Sequence, residues 1–182
     1  MAGFPPNLPT ICANSKGTEM KRLILMRHAK SDWSSGASSD HDRPLNPRGR
    51  KSAQALGDWL RSHDLFPDQV LCSTAARTRE TLDRLGLVDD TDVSFHRPLY
   101  LASAEVILNT LKTAKGDTVL MLGHNPGIAM MAQDICASAP DHRQFMTYPT
   151  GATLVADFDI AEWSKAGWEQ ANARHFVVPR DI

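Results

Sequence analysis

Three cysteines in 182 residues, Cys12, Cys72 and Cys136, are too few and too scattered for a disulfide framework, and no pair has the Cys-x-x-Cys spacing of a zinc site. They fit a reducing compartment, and the cytoplasm is the expected location. No apolar run approaches the roughly 18 residues that a membrane helix needs, so no membrane partner is expected. Neither charge dominates: 20 Lys and Arg stand against 21 Asp and Glu, a formal net charge of −1. That balance argues against a broad nucleic-acid-binding face, though it leaves room for a small cationic pocket. Several catalytic signatures are missing as well. There is no HExxH, no HxH, no Gly-rich loop closing in Lys-Ser/Thr and no GxSxG elbow. No metal and no cofactor are expected.

What is present is an alternation of strand and helix patterns from residue 21 onward. The preceding stretch, MAGFPPNLPTICANSKGTEM, is rich in Pro, Gly and small polar residues and lacks a basic start leading into an apolar core. Residues 1–20 are expected to form a flexible arm, with Met20 a second potential start, and 21–182 a single domain. Residues 21–26 read as a strand. Asn46-Pro47 opens a helix whose inward stripe is Ala53, Leu56, Trp59 and Leu60. Val70-Leu71-Cys72 reads as a strand, and Ser73 or Thr74 as the cap of a helix carried by Leu82 and Leu85 and ended by Gly86. Val93–Phe95 reads as a third strand. Ser103–Ala114 reads as a helix with Val106, Ile107 and Leu111 inward, and Thr118–Leu122 as a central parallel strand. Asn125-Pro126 opens a further helix, and Ala152–Phe158 and Phe176–Val178 are the last strands.

This pattern predicts an α/β layer fold with a largely parallel sheet and helices on both faces. Ligands of such sheets sit beyond the carboxyl ends of the strands. Three polar clusters fall there: Arg27-His28 after the first strand, Ser73 to Arg77 after the second, and Gly123-His124-Asn125 after the central one. Two imidazoles and two guanidiniums converging on one place suit a phosphoryl dianion, because Arg offers permanently charged, forked donors. A neutral imidazole adds a nucleophile able to hold the phosphoryl group covalently, and neighbouring arginines favour its neutral form.

The same residues resemble the histidine phosphatase superfamily, also called phosphoglycerate-mutase-like. Arg27-His28-Ala29 is similar to its Arg-His-Gly signature, and RHAKSDWS to its RHGESxWN, with Ser31 and Trp33 matching and Lys30 and Ser34 departing. LNPRGRKSAQALGDWL, CSTAARTRETL and GHNPG resemble its later blocks in order. The resemblance, over about residues 21–130, implies a three-layer phosphoglycerate-mutase-like fold. It also implies a phosphohistidine intermediate on His28, with Arg27, Arg77 and His124 clamping the phosphoryl group. Only about 40 residues separate Thr81 from His124, too few for the large cap insertion of the mutase branch. The compact size and the RHAKSDW, DRPLN and SxxARTRET blocks resemble the SixA-like branch, whose namesake removes phosphate from protein phosphohistidine. A phosphorylated protein of a histidine phosphorelay, or a small phosphorylated substrate, is the implied partner.

Glu105, at a helix start, and Asp32, after the nucleophile, are candidate general acids; an acidic first turn is favoured by the helix dipole regardless of catalysis. Ser34 and Arg43 are further candidate phosphate ligands, Arg43 with a loop-anchoring ion pair as its competing role. His41, between Asp40 and Asp42, reads as a residue of an exposed polar loop. Arg79 and Arg84 are expected to pair with Glu80 or Asp83 or to stay solvated. Trp33, Trp59, Trp163 and Trp168 are expected to pack in or against the core. His63, His96, His142 and His175 carry no pattern. Two alternatives stay open: a phosphatase of small phosphate monoesters or sugar phosphates, and a non-catalytic phosphate- or phosphoprotein-binding module.

Overall fold

The computed structural model describes residues 20–87 and 90–182, so all but the last residue of the expected arm, Cys12 included, lies outside the described residues. The elements run β1 (Lys21–Arg27), α1 (Pro47–Ser62), β2 (Gln69–Ser73), α2 (Ala76–Leu85), β3 (Asp92–His96), a 3-10 turn (Arg97–Leu99), α3 (Ala104–Leu111), β4 (Thr118–Gly123), α4 (Gly127–Ile135), β5 (Thr153–Phe158), a second 3-10 turn (Trp163–Lys165) and β6 (Asn172–Val177). The six strands form one sheet in the order β3-β2-β4-β1-β5-β6. The four strands β1 to β4 are parallel, and β5 and β6 join antiparallel at one edge.

Alternation along the central strands divides the core. Ile24, Met26, Val70, Cys72, Leu120 and Leu122 face Leu56 and Leu60 of α1 and Leu82 and Leu85 of α2. Leu23, Leu25, Leu71, Val119 and Met121 face α3 and α4 through Ile107, Leu108, Leu111, Ile128 and Met131. Because side chains alternate with period two, an apolar run such as TVLML serves both faces at once. The result is the expected three-layer arrangement. Among the described residues between α2 and β4 stand β3, a 3-10 turn and α3, and none of them forms a cap insertion over the strand ends.

Local chemistry sets the boundaries. Asn46 caps α1 by accepting from Gly49 N–H at 2.8 Å, with Pro47 in the first turn, a cap worth about 1 kcal/mol. Gly86 ends α2 in the left-handed region at φ 58°. Three expectations change. Neither Ser73 nor Thr74 caps α2: the cap position is Ala75, which makes no side-chain cap bond. Ser73 Oγ is instead engaged with His124, and the Thr78 hydroxyl reaches back to the Ser73 and Ala75 carbonyls at 2.8 Å each. Val106 is exposed, because α3 turns Ile107, Leu108 and Leu111 to the sheet instead. Trp163 is buried and Trp59 packs partly against the core, but Trp33 is 81% exposed and Trp168 is exposed as well.

Candidate active site

β2, β4 and β1 are neighbours, so their carboxyl ends lie side by side. Arg27 is in register with Gly123 across β1 and β4, and His28 N–H donates to the Gly123 carbonyl at 3.1 Å. The three sequence clusters therefore meet. Arg27, His28, Arg77 and His124 line one cavity of about 480 Å³, together with Arg43, Lys30, Asp40 and Asn125.

His28 is nearly buried. Its Nδ1 lies 2.7 Å from the Ala29 carbonyl oxygen, which can only accept, so Nδ1 carries the proton. Nε2 then holds the lone pair, and it accepts from Arg77 Nε at 3.3 Å. Burial first, then the charges of Arg77, Arg27 and Arg43, push the imidazole pKa down to about 3. The ring is neutral at physiological pH, with its lone pair aimed at the cationic side of the cavity. The substitution of alanine for the signature glycine is accommodated: Ala29 is fully buried and is not among the residues with positive φ. Its N–H donates to Thr81 Oγ1 at 3.0 Å, and the same hydroxyl donates to the Arg77 carbonyl at 2.7 Å. Thr81 thus ties the loop of His28 to the helix that carries Arg77.

Arg77 is buried and fixed from three sides. Besides His28, it donates to the Asp40 carbonyl at 2.6 Å and to Asp40 Oδ2 at 3.0 Å. Asp40 also accepts from Arg43 at 2.8 Å and from the Tyr100 hydroxyl at 2.6 Å. The Tyr100 hydrogen bond, followed by those of the arginines, holds its carboxyl well below the usual range. Arg43 further donates to Ser31 Oγ and lies over the Trp33 ring, 3.6 Å from its centroid. Of the two roles weighed for Arg43, the loop anchor is filled by its ion pair with Asp40, and the residue also lines the cavity.

His124 faces His28 with ring centroids 5.1 Å apart. Its Nε2 pairs with Ser73 Oγ at 2.8 Å, while burial and then the neighbouring His28 and Arg77 drive its pKa down to about 2. Arg27 donates to the Tyr148 carbonyl at 2.9 Å, and burial and Arg77 lower its pKa too. Three buried side-chain atoms among the described residues have no hydrogen-bond partner: Arg27 Nε, His124 Nδ1 and Asn125 Oδ1. All three residues line this cavity. Buried polar atoms are otherwise satisfied, so orphans collected in one place mark where a ligand completes the set. Four cationic side chains against one carboxylate make that ligand anionic.

The other candidates stand apart from the cavity. Glu105 is exposed in the first turn of α3. Asp32 accepts from Ser34 N–H and Oγ, at 2.8 Å each, so both residues are occupied in a local turn. His41 contacts Thr74 Oγ1 at 2.9 Å, and no group of three or more His, Cys, Asp or Glu among the described residues is placed to hold a metal. Arg84 pairs with Glu80, and Arg79 lies over the Phe95 ring. Sequence reasoning missed Asp40, Tyr100 and Thr81. Thr81 had a signal, standing one helical turn after Arg77 on the same face; Asp40 sat in a polar loop with no periodicity to read.

A parallel-sheet crest carrying two facing histidines and two arginines defines a class of phosphoryl-handling α/β proteins. Residues 23–99 match the pattern of the histidine phosphatase superfamily (branch 1). An uncharacterized protein of Mycobacterium leprae is 34% identical over 85% of this chain and 100% of its own length. The solved structure of a provisionally assigned phosphohistidine phosphatase SixA from Nakamurella multipartitia superposes with a TM-score of 0.78 at 31% identity, covering 88% of this chain and 96% of that one. The phosphohistidine phosphatase SixA of Escherichia coli is 25% identical over 63% of this chain and 74% of its own. The chain belongs to the histidine phosphatase superfamily, and its fold is that of the SixA structures.

Proposed function

We propose that the protein is a cofactor-independent phosphatase that forms a covalent phosphohistidine on His28 and acts on phosphohistidine borne by another protein. The observation that carries the reading is the pairing of a neutral His28, its Nε2 lone pair turned into the cavity, with the unpartnered nitrogens Arg27 Nε and His124 Nδ1 around it. In the first step Nε2 bonds to phosphorus as the bond from phosphorus to the substrate nitrogen breaks. Arg27, Arg77 and His124 receive the equatorial oxygens, where charge spreads in the transition state. Arg77 releases Nε2 as the oxygens arrive. In the second step water attacks phosphorus, the Nε2–P bond breaks, and inorganic phosphate leaves with the water's oxygen.

A substrate imidazole leaves readily once protonated, so the absence of a carboxylic acid at Glu105 or Asp32 within the cavity favours a P–N bond over an ester. Asp40 is the one carboxylate in the lining, and it is held ionised. The missing cap supports a bulky, protein-borne substrate, because specificity for small ligands normally comes from a pocket that surrounds them. The relatives named phosphohistidine phosphatase point the same way.

The test is phosphate release from a phosphohistidine-bearing protein domain in excess chelator, beside a phosphate monoester, with His28→Ala as control. Chelator-resistant release that the variant lacks, faster than ester cleavage, is expected. Ester cleavage alone would transfer the reading to small phosphate esters. Phosphate binding that survives in His28→Ala, with no turnover by the parent protein, would make it a binding module.

A further inference from the structure

A second cavity, of about 200 Å³, adjoins the first and shares Lys30 and Thr150 with it. Its polar wall is Lys30, Arg48, Ser52, Gln144, Thr150 and Arg180, without a carboxylate. None of these six side chains makes a hydrogen bond or ion pair to another described residue. Elsewhere among the described residues seven arginines, Arg22, Arg43, Arg50, Arg61, Arg77, Arg84 and Arg174, meet a carboxylate, while Arg27, Arg79 and Arg97 contact a carbonyl or an aromatic ring. Here three exposed cations without a carboxylate partner line one concavity.

The wall is also built, not left over. Arg48 sits in the first turn of α1, against which Lys30 is locked: the Lys30 carbonyl accepts from Asn46 N–H at 3.0 Å, and a Cβ on Gly49 would stand 2.0 Å from that oxygen. Arg180 follows Pro179, which packs directly over Gly151, a residue held at φ +78°. Gly151 N–H in turn donates to the His28 carbonyl at 3.0 Å. The acid next to Arg180 is used elsewhere: Asp181 accepts from Val178 N–H at 3.0 Å and lies 3.3 Å from His142. The fold fixes the backbone that carries these exposed cations beside the phosphoryl site, and without counter-charges in the cavity wall they attract an anion carried by whatever enters that site.

We infer that this cavity is a second anion subsite, in which Lys30, Arg48 and Arg180 receive a carboxylate or phosphate of the same substrate whose phosphoryl group meets His28. Resting on the phosphatase reading above, it narrows the substrate to one with two anionic groups. In a protein substrate the second group is an Asp or Glu near the phosphohistidine; in a small one it is a second phosphate. Exposed charge pairs each contribute modestly and are screened by salt.

The experiment compares the parent protein with an Arg48→Gln/Arg180→Gln double variant, leaving Lys30 and the catalytic cavity untouched. Turnover of p-nitrophenyl phosphate, which carries one anionic group, is expected to be unchanged. Tetraglutamate is expected to inhibit that turnover, and the double variant to weaken the inhibition about tenfold, with inhibition by inorganic phosphate unaltered. Phosphohistidine peptides with and without a flanking Glu, and an alkyl bisphosphate beside its monophosphate, form the second arm. Loss in the variant of a preference for the acidic peptide assigns the subsite to a protein carboxylate. Loss confined to the bisphosphate keeps the subsite and overturns only the protein substrate. Equal behaviour of parent and variant toward tetraglutamate and toward both substrate pairs overturns the inference, even if phosphohistidine turnover itself is confirmed.

Discussion

Arg77 Nε donates to His28 Nε2 across 3.3 Å, so the lone pair of the proposed nucleophile rests on a cation proposed to receive the phosphoryl oxygens. This contact helps orient the imidazole beside the Ala29 carbonyl and, after burial, adds to what keeps it unprotonated. The two residues lie 49 apart in sequence, and Thr81 holds their backbones together.

Replacement of Arg77 should therefore separate charge from geometry. Arg77→Ala is expected to lower kcat/KM by about a hundredfold or more, the scale for losing one charged donor to a transition state. Arg77→Lys keeps the charge but cannot donate to His28, Asp40 and a phosphoryl oxygen together, so about a tenfold loss should remain. Steady-state kinetics of both variants decide it, and full activity in Arg77→Lys would contradict the role given to the fork.

Asp40→Asn removes the carboxylate that anchors Arg43 and Arg77 and accepts from Tyr100. Two effects of opposite sign are expected. Inorganic phosphate should bind several-fold more tightly because a nearby negative charge is gone. kcat should fall about tenfold because Arg77 loses its support. Phosphate inhibition measured beside turnover separates them; a fall in both affinity and kcat would point instead to general collapse of the loop.

Stability should depend on pH through the two buried imidazoles. His28 and His124 titrate near 3 and 2 in the folded protein, against about 6.5 when unfolded. Below pH 6.5 the unfolded chain takes up protons that the folded chain refuses, so stability falls as pH drops, until the folded values are reached. At pH 5 the cost is on the order of 2 kcal/mol for each ring. The lowered carboxylates Glu80, Asp40 and Asp157 lose their contribution only below about pH 5, which leaves the window from 6.5 to 5 to the histidines. Urea unfolding at pH 7 and pH 5 tests this, and His28→Asn should flatten the slope; equal midpoints at the two pH values would refute it.

Gly49→Ala is expected to destabilise the protein by roughly 2 kcal/mol or more, because the new methyl would stand 2.0 Å from the Lys30 carbonyl and only backbone movement relieves it. The displaced segment is the one following His28, so turnover should fall with stability. Thermal unfolding beside kinetics checks both, and an unchanged midpoint would mean that helix and loop are less tightly apposed than described.

The sequence by itself determined the elements and the residues of the crest. Apolar runs such as LILM and TVLML are too short for helices and lack polar alternation, so they are strands buried on both faces, and Asn46-Pro47 and Gly86 mark helix ends through backbone chemistry that acts within a few residues. Arg27, His28, Arg77 and His124 were legible because strand ends in such a sheet converge. Tertiary structure alone decided what each polar group meets. Ser73 serves His124 rather than its own helix, Val106 and Trp33 face outward, and Glu105, Asp32 and Ser34 stay outside the cavity. Asp40 and Tyr100, 60 residues apart, meet at Arg77 only once β2 and β3 are paired and the loop after β1 has folded over them. Such contacts depend on distances between segments remote in the chain, which no local pattern encodes.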